Sequence, residues 1–253
     1  MLRFRWTAPL LVGLGSLALQ AQVKVTYLAN EGVMLEAGNA KVLVDALLRD
    51  SLGDYHRYDA ATQEKIEHGK PPFDGVSLAL ATHFHLDHWD AGAISQFLKH
   101  SPAALFASTP QATGMIPFAQ RKQVRQLWPG ESAATVEVVG VKVDAVPLDH
   151  RPAQNLGYRI QMGGRTLFHA GDSGPDDKTQ AALMASPPPD VAMVPFWWLL
   201  DPKGLEFVTK TWKPKHIVAF HFGVDDIAKS SAKIRESVPG AWLCLKQGES
   251  RVF

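Results

Sequence analysis

The sequence predicts an α+β protein built as layered β-sheets with helices packed outside. Short β-rich runs come first, and later runs alternate with amphipathic helical stretches. The chain has 253 residues, 46% of them hydrophobic, enough to bury a sizeable core. No close repeat, low-complexity tract or long linker argues for a second domain.

Val23 to Ala29, Gly32 to Ala37 and Ala40 to Ala46 read as three successive strands, with turn residues at Asn30-Glu31-Gly32 and Gly38-Asn39. Ala60 to His68 reads as a helix, ended by Gly69-Lys70-Pro71-Pro72. Gly75 to Ala81 has the length of a buried strand. Asp90 to His100 has helical spacing, with Ile94, Phe97 and Leu98 on one side. In the second half, Val141 to Val146, Leu156 to Met162 and Arg165 to Ala170 are strand-like, the last two joined by Gly163-Gly164. Asp176 to Ala185 reads as a helix stopped by Pro187-Pro188-Pro189. A strand from Val191 to Pro195, a helix from Lys203 to Trp212 and a strand from His216 to Phe220 follow. Asp225 to Val238 is a final helix and Trp242 to Leu245 a final strand.

The N-terminus has the pattern of a secretory signal. Arg3 and Arg5 precede an apolar run from Ala8 to Leu19, and Ala21 offers a small residue for cleavage. The run is shorter than the about 20 residues of a membrane span. Residues 1–21 are thus expected to be a signal peptide and 22–253 an exported domain, periplasmic or secreted, with no stable membrane anchor after cleavage. Cys244 is alone, so no intrachain disulfide forms, and AWLCLK suits a buried, inert thiol. Lys+Arg number 26 and Asp+Glu 25, and no basic block stands out. No nucleic-acid partner is expected. A small-molecule substrate is, and the oligomeric state is left open.

Function is concentrated in Thr82-His83-Phe84-His85-Leu86-Asp87-His88. Four good metal ligands follow an apolar strand and precede a helix. Imidazole with carboxylate suits zinc, iron or manganese. Residues two apart in an extended segment point the same way, so His83 and His85 can grip one ion. Asp87 and His88, at the turn into the helix, can face another. One ion does not comfortably take all four, because catalytic zinc keeps a position for water. His150, Asp172 and His221 each end an apolar run, where catalytic residues of layered α/β proteins usually sit.

These elements resemble the metallo-β-lactamase fold superfamily, whose signature is H-x-H-x-D-H followed by separate His, Asp and His ligands. THxHxDH, FHAGDSG and PKHIVAFHFG are most similar to metal-dependent hydrolases related to ascorbate-6-phosphate lactonase. The resemblance implies a four-layer αββα sandwich with metals at one edge of two facing sheets. It implies that His83, His85 and His150 hold a first ion, that Asp87, His88 and His221 hold a second, and that Asp172 bridges both. Flavodiiron oxidoreductases of this fold carry an acidic residue where this chain has His85, and one subclass of β-lactamases has Cys where Asp172 stands. Lactonases, thioester hydrolases and phosphodiesterases carry the Asp, so antibiotic hydrolysis is disfavoured.

The expected cofactor is two divalent metal ions, Zn2+ first, with Mn2+ or Fe2+ also suited. Set about 3.5–4 Å apart, they would share a water and lower its pKa toward neutrality. The expected activity is attack by that bridging hydroxide on a small ester, lactone or phosphoester, with Asp87 or Asp172 as catalytic proton carrier. A metallo-phosphodiesterase of the same fold and a non-catalytic zinc-binding protein are the alternatives. A nucleic-acid version should show a basic clamp, and none is visible. A metal-bound imidazole usually donates its other N–H; the resemblance implies Asp45, which closes the strand KVLVD, as a support near the metals, and Thr82 and His169, which flank ligands directly, are expected to support them too. Trp197-Trp198 reads as core packing in preference to a pocket wall, and Arg151 as a surface residue. Tyr55 and Tyr58 read as an ordinary loop or a pocket rim.

Overall fold

The computed structural model describes residues 22–225 and 227–253. The expected signal segment, 1–21, lies outside them. Among the described residues, two seven-stranded mixed sheets stack face to face with helices on both outer sides, which is the αββα sandwich.

The first sheet begins as an antiparallel meander: β1 (Lys24–Ala29), β2 (Gly32–Ala37) and β3 (Ala40–Val44). It continues with three parallel strands, β4 (Leu78–Leu80), β5 (Leu105–Ser108) and β6 (Val124–Gln126). The second sheet repeats the plan. β7 (Thr135–Val138), β8 (Val141–His150), β9 (Ala153–Met162) and β10 (Arg165–His169) are antiparallel. β11 (Val191–Pro195), β12 (His216–Phe220) and β13 (Trp242–Leu243) then run parallel. The last strand, β14 (Ser250–Val252), crosses back to pair with β1.

Helices α1 (Ala60–Glu67), α2 (Ala91–His100) and the short α3 (Pro110–Gly114) cover the first sheet. The second is covered by α4 (Asp177–Met184), α5 (Trp197–Leu200), α6 (Pro202–Glu206) and α7 (Ile227–Ser237). Asp59, Asp90 and Asp176 cap α1, α2 and α4 by accepting backbone N–H bonds, as short polar side chains do at helix starts. Strand alternation divides the core: Val42 and Val44 face the other sheet, while Leu43 faces the helices.

Several boundaries differ from the sequence reading. The expected 203–212 helix is α6 followed by a π-helical turn over Phe207–Trp212, ended by Lys213 in the left-handed region. β3 stops at Val44 because Asp45 takes φ of +47°. The expected 75–81 and 242–245 strands shrink to Leu78–Leu80 and Trp242–Leu243. β8 is longer than expected and includes His150 as its last residue, paired with Ala153. β5, β6, β7 and β14 were not anticipated. They are three or four residues long in their pairings, and three of the four lie at sheet edges, where alternation is weak.

Phe97 on α2 is fully buried against the first sheet. Phe97→Ala is expected to lower unfolding free energy by about 3–5 kcal/mol through lost burial and a residual cavity. Denaturant unfolding checks this, and a loss under about 1 kcal/mol would contradict the packing described.

Candidate metal centre

The two sheets are stapled together where the histidine-rich loop begins. The hydroxyl of Tyr158, on β9, donates to the Ala81 carbonyl at 2.6 Å, and the Leu156 N–H donates to the Thr82 carbonyl at 3.0 Å. The chain beyond β4 is therefore fixed at the seam between the sheets. His83, His85, Asp87 and His88 project from this loop, which turns at His85, whose carbonyl accepts from the N–H groups of His88 and Trp89.

The other candidates arrive from separate strand ends. His150 closes β8, Asp172 follows β10 and His221 follows β12. Gly171 has φ of +54°, and a Cβ there would meet Thr82 Cβ at 2.9 Å and Asn155 Oδ1 at 2.7 Å. Only glycine lets the loop bring Asp172 this close to the motif.

All seven expected ligands converge. One atom from each of His83, His85, His150 and Asp172 lies within 4.8 Å of the rest, and the same holds for Asp87, His88 and His221. Asp172 stands between the groups. Its Oδ2 is 3.8 Å from His83 Nε2 and 3.7 Å from His150 Nε2. Its Oδ1 is 2.8 Å from His221 Nε2 and 3.2 Å from His88 Nε2. Asp87 Oδ2 lies 3.4 Å from His88 Nε2 and 3.7 Å from His221 Nε2.

These groups fit cations. His83 Nε2, His88 Nε2, His221 Nε2 and Asp172 Oδ1 are buried with no hydrogen-bond partner among the described residues, and a buried polar atom left so is costly. A divalent ion in each group would satisfy them, with His83, His85 and His150 holding one, Asp87, His88 and His221 the other, and Asp172 shared. His83, His88 and His221 are nearly inaccessible, whereas the His150 side chain is 26% exposed, so solvent reaches the centre from the first group's side.

Electrostatics follow from burial and carboxylates together. Burial, with neighbouring histidines, holds His83 well below the ordinary imidazole range, and burial lowers His150. Burial also acts against the charged form of His88, but Asp172, Asp45 and Asp87 outweigh it and raise its pKa well above the usual value. Burial alone would raise Asp172; His88 and His221 outweigh that and hold it well below the carboxylate range. Asp87 is lowered likewise, against burial, by His88.

Two of the three expected supports touch ligands. Asp45 Oδ2 is 3.0 Å from His88 Nδ1, and the same carboxylate accepts from Thr82 N and Oγ1, both at 2.7 Å. Thr82 Oγ1 is 3.0 Å from His83 Nδ1. His169 is fully buried, but its Nε2 donates to the Glu31 carbonyl at 3.1 Å, so it braces the β1–β2 turn instead of a ligand ring.

That turn was missed. Asn30, at φ of +50°, donates its side-chain N–H to the backbone oxygen and Oδ2 of Asp87 at 3.2 and 3.1 Å, and its carbonyl accepts from His221 N–H. A Cβ on Gly32 would lie 2.7 Å from the Asp45 carbonyl, so the turn packs directly under the centre. Glu31 is buried there, and burial, with Asp172, raises its carboxyl pKa well above the usual value. Asn-Glu-Gly reads in sequence only as a turn between strands; the closing of the sandwich places it under the centre.

The aromatic reading is also corrected. Trp198 is core, but Trp197 is half-buried and stands edge-on to His221 with centroids 5.0 Å apart. Tyr55 packs edge-on to His221 from another side at 4.5 Å, while Tyr58 is buried and donates to the Ala46 carbonyl. Burial and the charges of Asp87 and Asp172 push the Tyr55 hydroxyl up to about 12. Arg151 is exposed and paired with Asp149, as a surface residue should be. A cavity of about 750 Å³ opens over the centre, lined by His150, Arg151, Asp172, Asp176 and Trp197 among others. Another of about 460 Å³ beside β1 and α1 is lined by Lys24, Thr26, Lys65 and Gln247, and none of the clustered ligands borders it.

Residues 40–238 match the family model of the beta-lactamase superfamily domain. The chain belongs to the beta-lactamase superfamily. A UPF0173 metal-dependent hydrolase of Pyrococcus furiosus is 25% identical over 241 residues, covering 90% of this chain and 98% of that protein. Igni18, a metallo hydrolase of Ignicoccus hospitalis, shares the fold with a TM-score of 0.66 at 20% identity, over 92% of this chain and 98% of that one. The metallo-beta-lactamase fold protein YhfI of Bacillus subtilis gives a TM-score of 0.65 at 15% identity, over 92% and 100% of the two chains.

In the metal-free protein the carboxylates of Asp172, Asp45 and Asp87 favour the protonated form of His88, so a metal has to compete with that proton. Calorimetric titration in buffers of different ionisation enthalpy is expected to show release of about one proton or more per chain at pH 7, with affinity weakening as pH falls. Metal uptake with no proton release at pH 7 would contradict the electrostatics.

Proposed function

We propose that this chain is an exported metal-dependent hydrolase with a dinuclear centre, acting on a small ester, lactone or phosphoester. The observation that carries the reading is Asp172, with one oxygen toward His83 and His150 and the other toward His88 and His221. A single site would have no use for two sets of donors on opposite oxygens of one carboxylate. The hydrolase names of its full-length relatives support the reaction class. Zinc is the preferred ion, because three imidazoles and a carboxylate suit it.

Two divalent cations, one held by His83, His85 and His150 and the other by Asp87, His88 and His221 with Asp172 shared, would supply Lewis acidity and lower the pKa of a bound water. The protein's part is placement. Asp172 fixes the spacing of the two groups. Thr82 and Asp45 aim His83 and His88 from behind. Asp87 sets only Oδ2 against the imidazoles, so its other oxygen is the candidate to accept the proton released as the nucleophile adds. The open flank at His150 admits substrate, and Trp197 gives its scissile group an apolar wall. The cavity suits a small molecule.

The test is a screen of metal-quantified protein against lactones, thioesters, phosphodiesters and β-lactams. Turnover of a lactone, ester or phosphoester, lost on chelation and restored by zinc, is expected. Asp172→Ala is expected to lower kcat/KM by about a thousandfold, ~4 kcal/mol of transition-state stabilisation. Full turnover by that variant, or turnover unaffected by chelation, would overturn the proposal.

A further inference from the structure

Buried ligand histidines in this centre follow a pattern with one gap. The nitrogen of His83 that faces away from the cluster meets Thr82 Oγ1, and that of His88 meets Asp45 Oδ2. His221 is as deeply buried, yet among the described residues its Nδ1 has no hydrogen-bond partner. Once Nε2 binds a cation, Nδ1 carries the proton and needs an acceptor.

Glu31 is the unclaimed acceptor. It is fully buried, and among the described residues neither carboxylate oxygen has a hydrogen-bond partner. A Glu31 oxygen, a His221 nitrogen and an Asp172 oxygen all lie within 4.8 Å of one another. Three nearby donors are already used. His88 Nδ1, 3.8 Å from Glu31, is held by Asp45 at 3.0 Å; His169 Nε2 donates to the Glu31 backbone; and the Asn30 amide donates to Asp87. Glu31 is also anchored close to His221 along the backbone, because His221 N–H donates to the Asn30 carbonyl at 3.3 Å. A buried carboxyl without a partner is costly whether charged or neutral, so the side chain needs one in the working protein.

We propose that Glu31 is the positioning carboxylate of His221: in the metal-loaded protein it accepts the Nδ1–H bond and sets negative charge behind the second ion. This rests on the dinuclear reading above. It completes the pattern, giving each of the three buried ligand imidazoles its own oxygen partner from a different loop.

The experiment is metal titration of wild type, Glu31→Gln and Glu31→Ala with zinc, following both binding steps, with ¹⁵N-histidine spectra of each zinc-loaded protein. Outer carboxylates typically contribute 10–100-fold in metal affinity. Glu31→Ala is expected to weaken the second step by about that factor and leave the first unchanged, with Glu31→Gln between because it keeps an oxygen acceptor. In wild type the His221 Nδ1–H signal is expected to be hydrogen-bonded and slow to exchange, and in Glu31→Ala to lose that protection. Equal second-step affinity in all three proteins would overturn the proposal. Should the variants fail to fold, a zinc-loaded wild-type structure decides. Glu31 within hydrogen-bond reach of His221 Nδ1 supports the proposal; Glu31 remote from it, or itself ligating the ion, overturns it. If wild type binds only one ion, the dinuclear reading fails and this inference with it, an outcome distinct from two-step binding that is indifferent to Glu31.

Discussion

Asp172 is held between two sets of imidazoles, and the molecule around it is arranged to keep it there. Five histidines and two aspartates from four chain segments put nitrogens and oxygens within a few ångströms of one another. Most of these contacts are not aligned hydrogen bonds, and several of the atoms are otherwise unpartnered. Such crowding is unfavourable for the bare protein, since buried polar groups lose hydration without replacement. Cations convert the same crowding into coordination. The protein thus invests folding stability in a centre that only metal repays.

The sandwich makes that arrangement possible. Each half of the chain is a meander followed by parallel strands, and parallel strands end together at one edge. Asp45, the His83–His88 loop, Asp172 and His221 all leave strands at that edge. Three residues there, Asn30, Asp45 and His221, adopt positive φ without being glycine. Backbone of that kind costs of order 1–3 kcal/mol per residue and persists where surrounding structure enforces it. Its concentration around the centre shows where packing has been subordinated to geometry. Tyr158 and Leu156, reaching across from the second sheet to Ala81 and Thr82, supply the enforcement.

Much of this was legible in the sequence. The ligands could be read because metal chemistry restricts residue type and because each ends an apolar strand. Asp45 was legible through the family resemblance, as the aspartate closing the strand KVLVD. Glu31 and Asn30 were not, because a hairpin turn gives no local sign of whether it faces water or a seam. Trp197 and Trp198 show the same limit: adjacent and identical, one fills the core and the other borders the pocket, and only helix phase separates them. The short edge strands and the π-helical turn at Phe207–Trp212 were illegible because their pairing is decided by neighbours distant in sequence.

X-ray absorption at the metal edge of zinc-loaded protein tests the central claim most directly. The account predicts a nitrogen- and oxygen-rich shell together with metal–metal scattering at about 3.5–4 Å, both diminished in Asp172→Ala. A single ion with no metal neighbour in the fully loaded wild-type protein would contradict it.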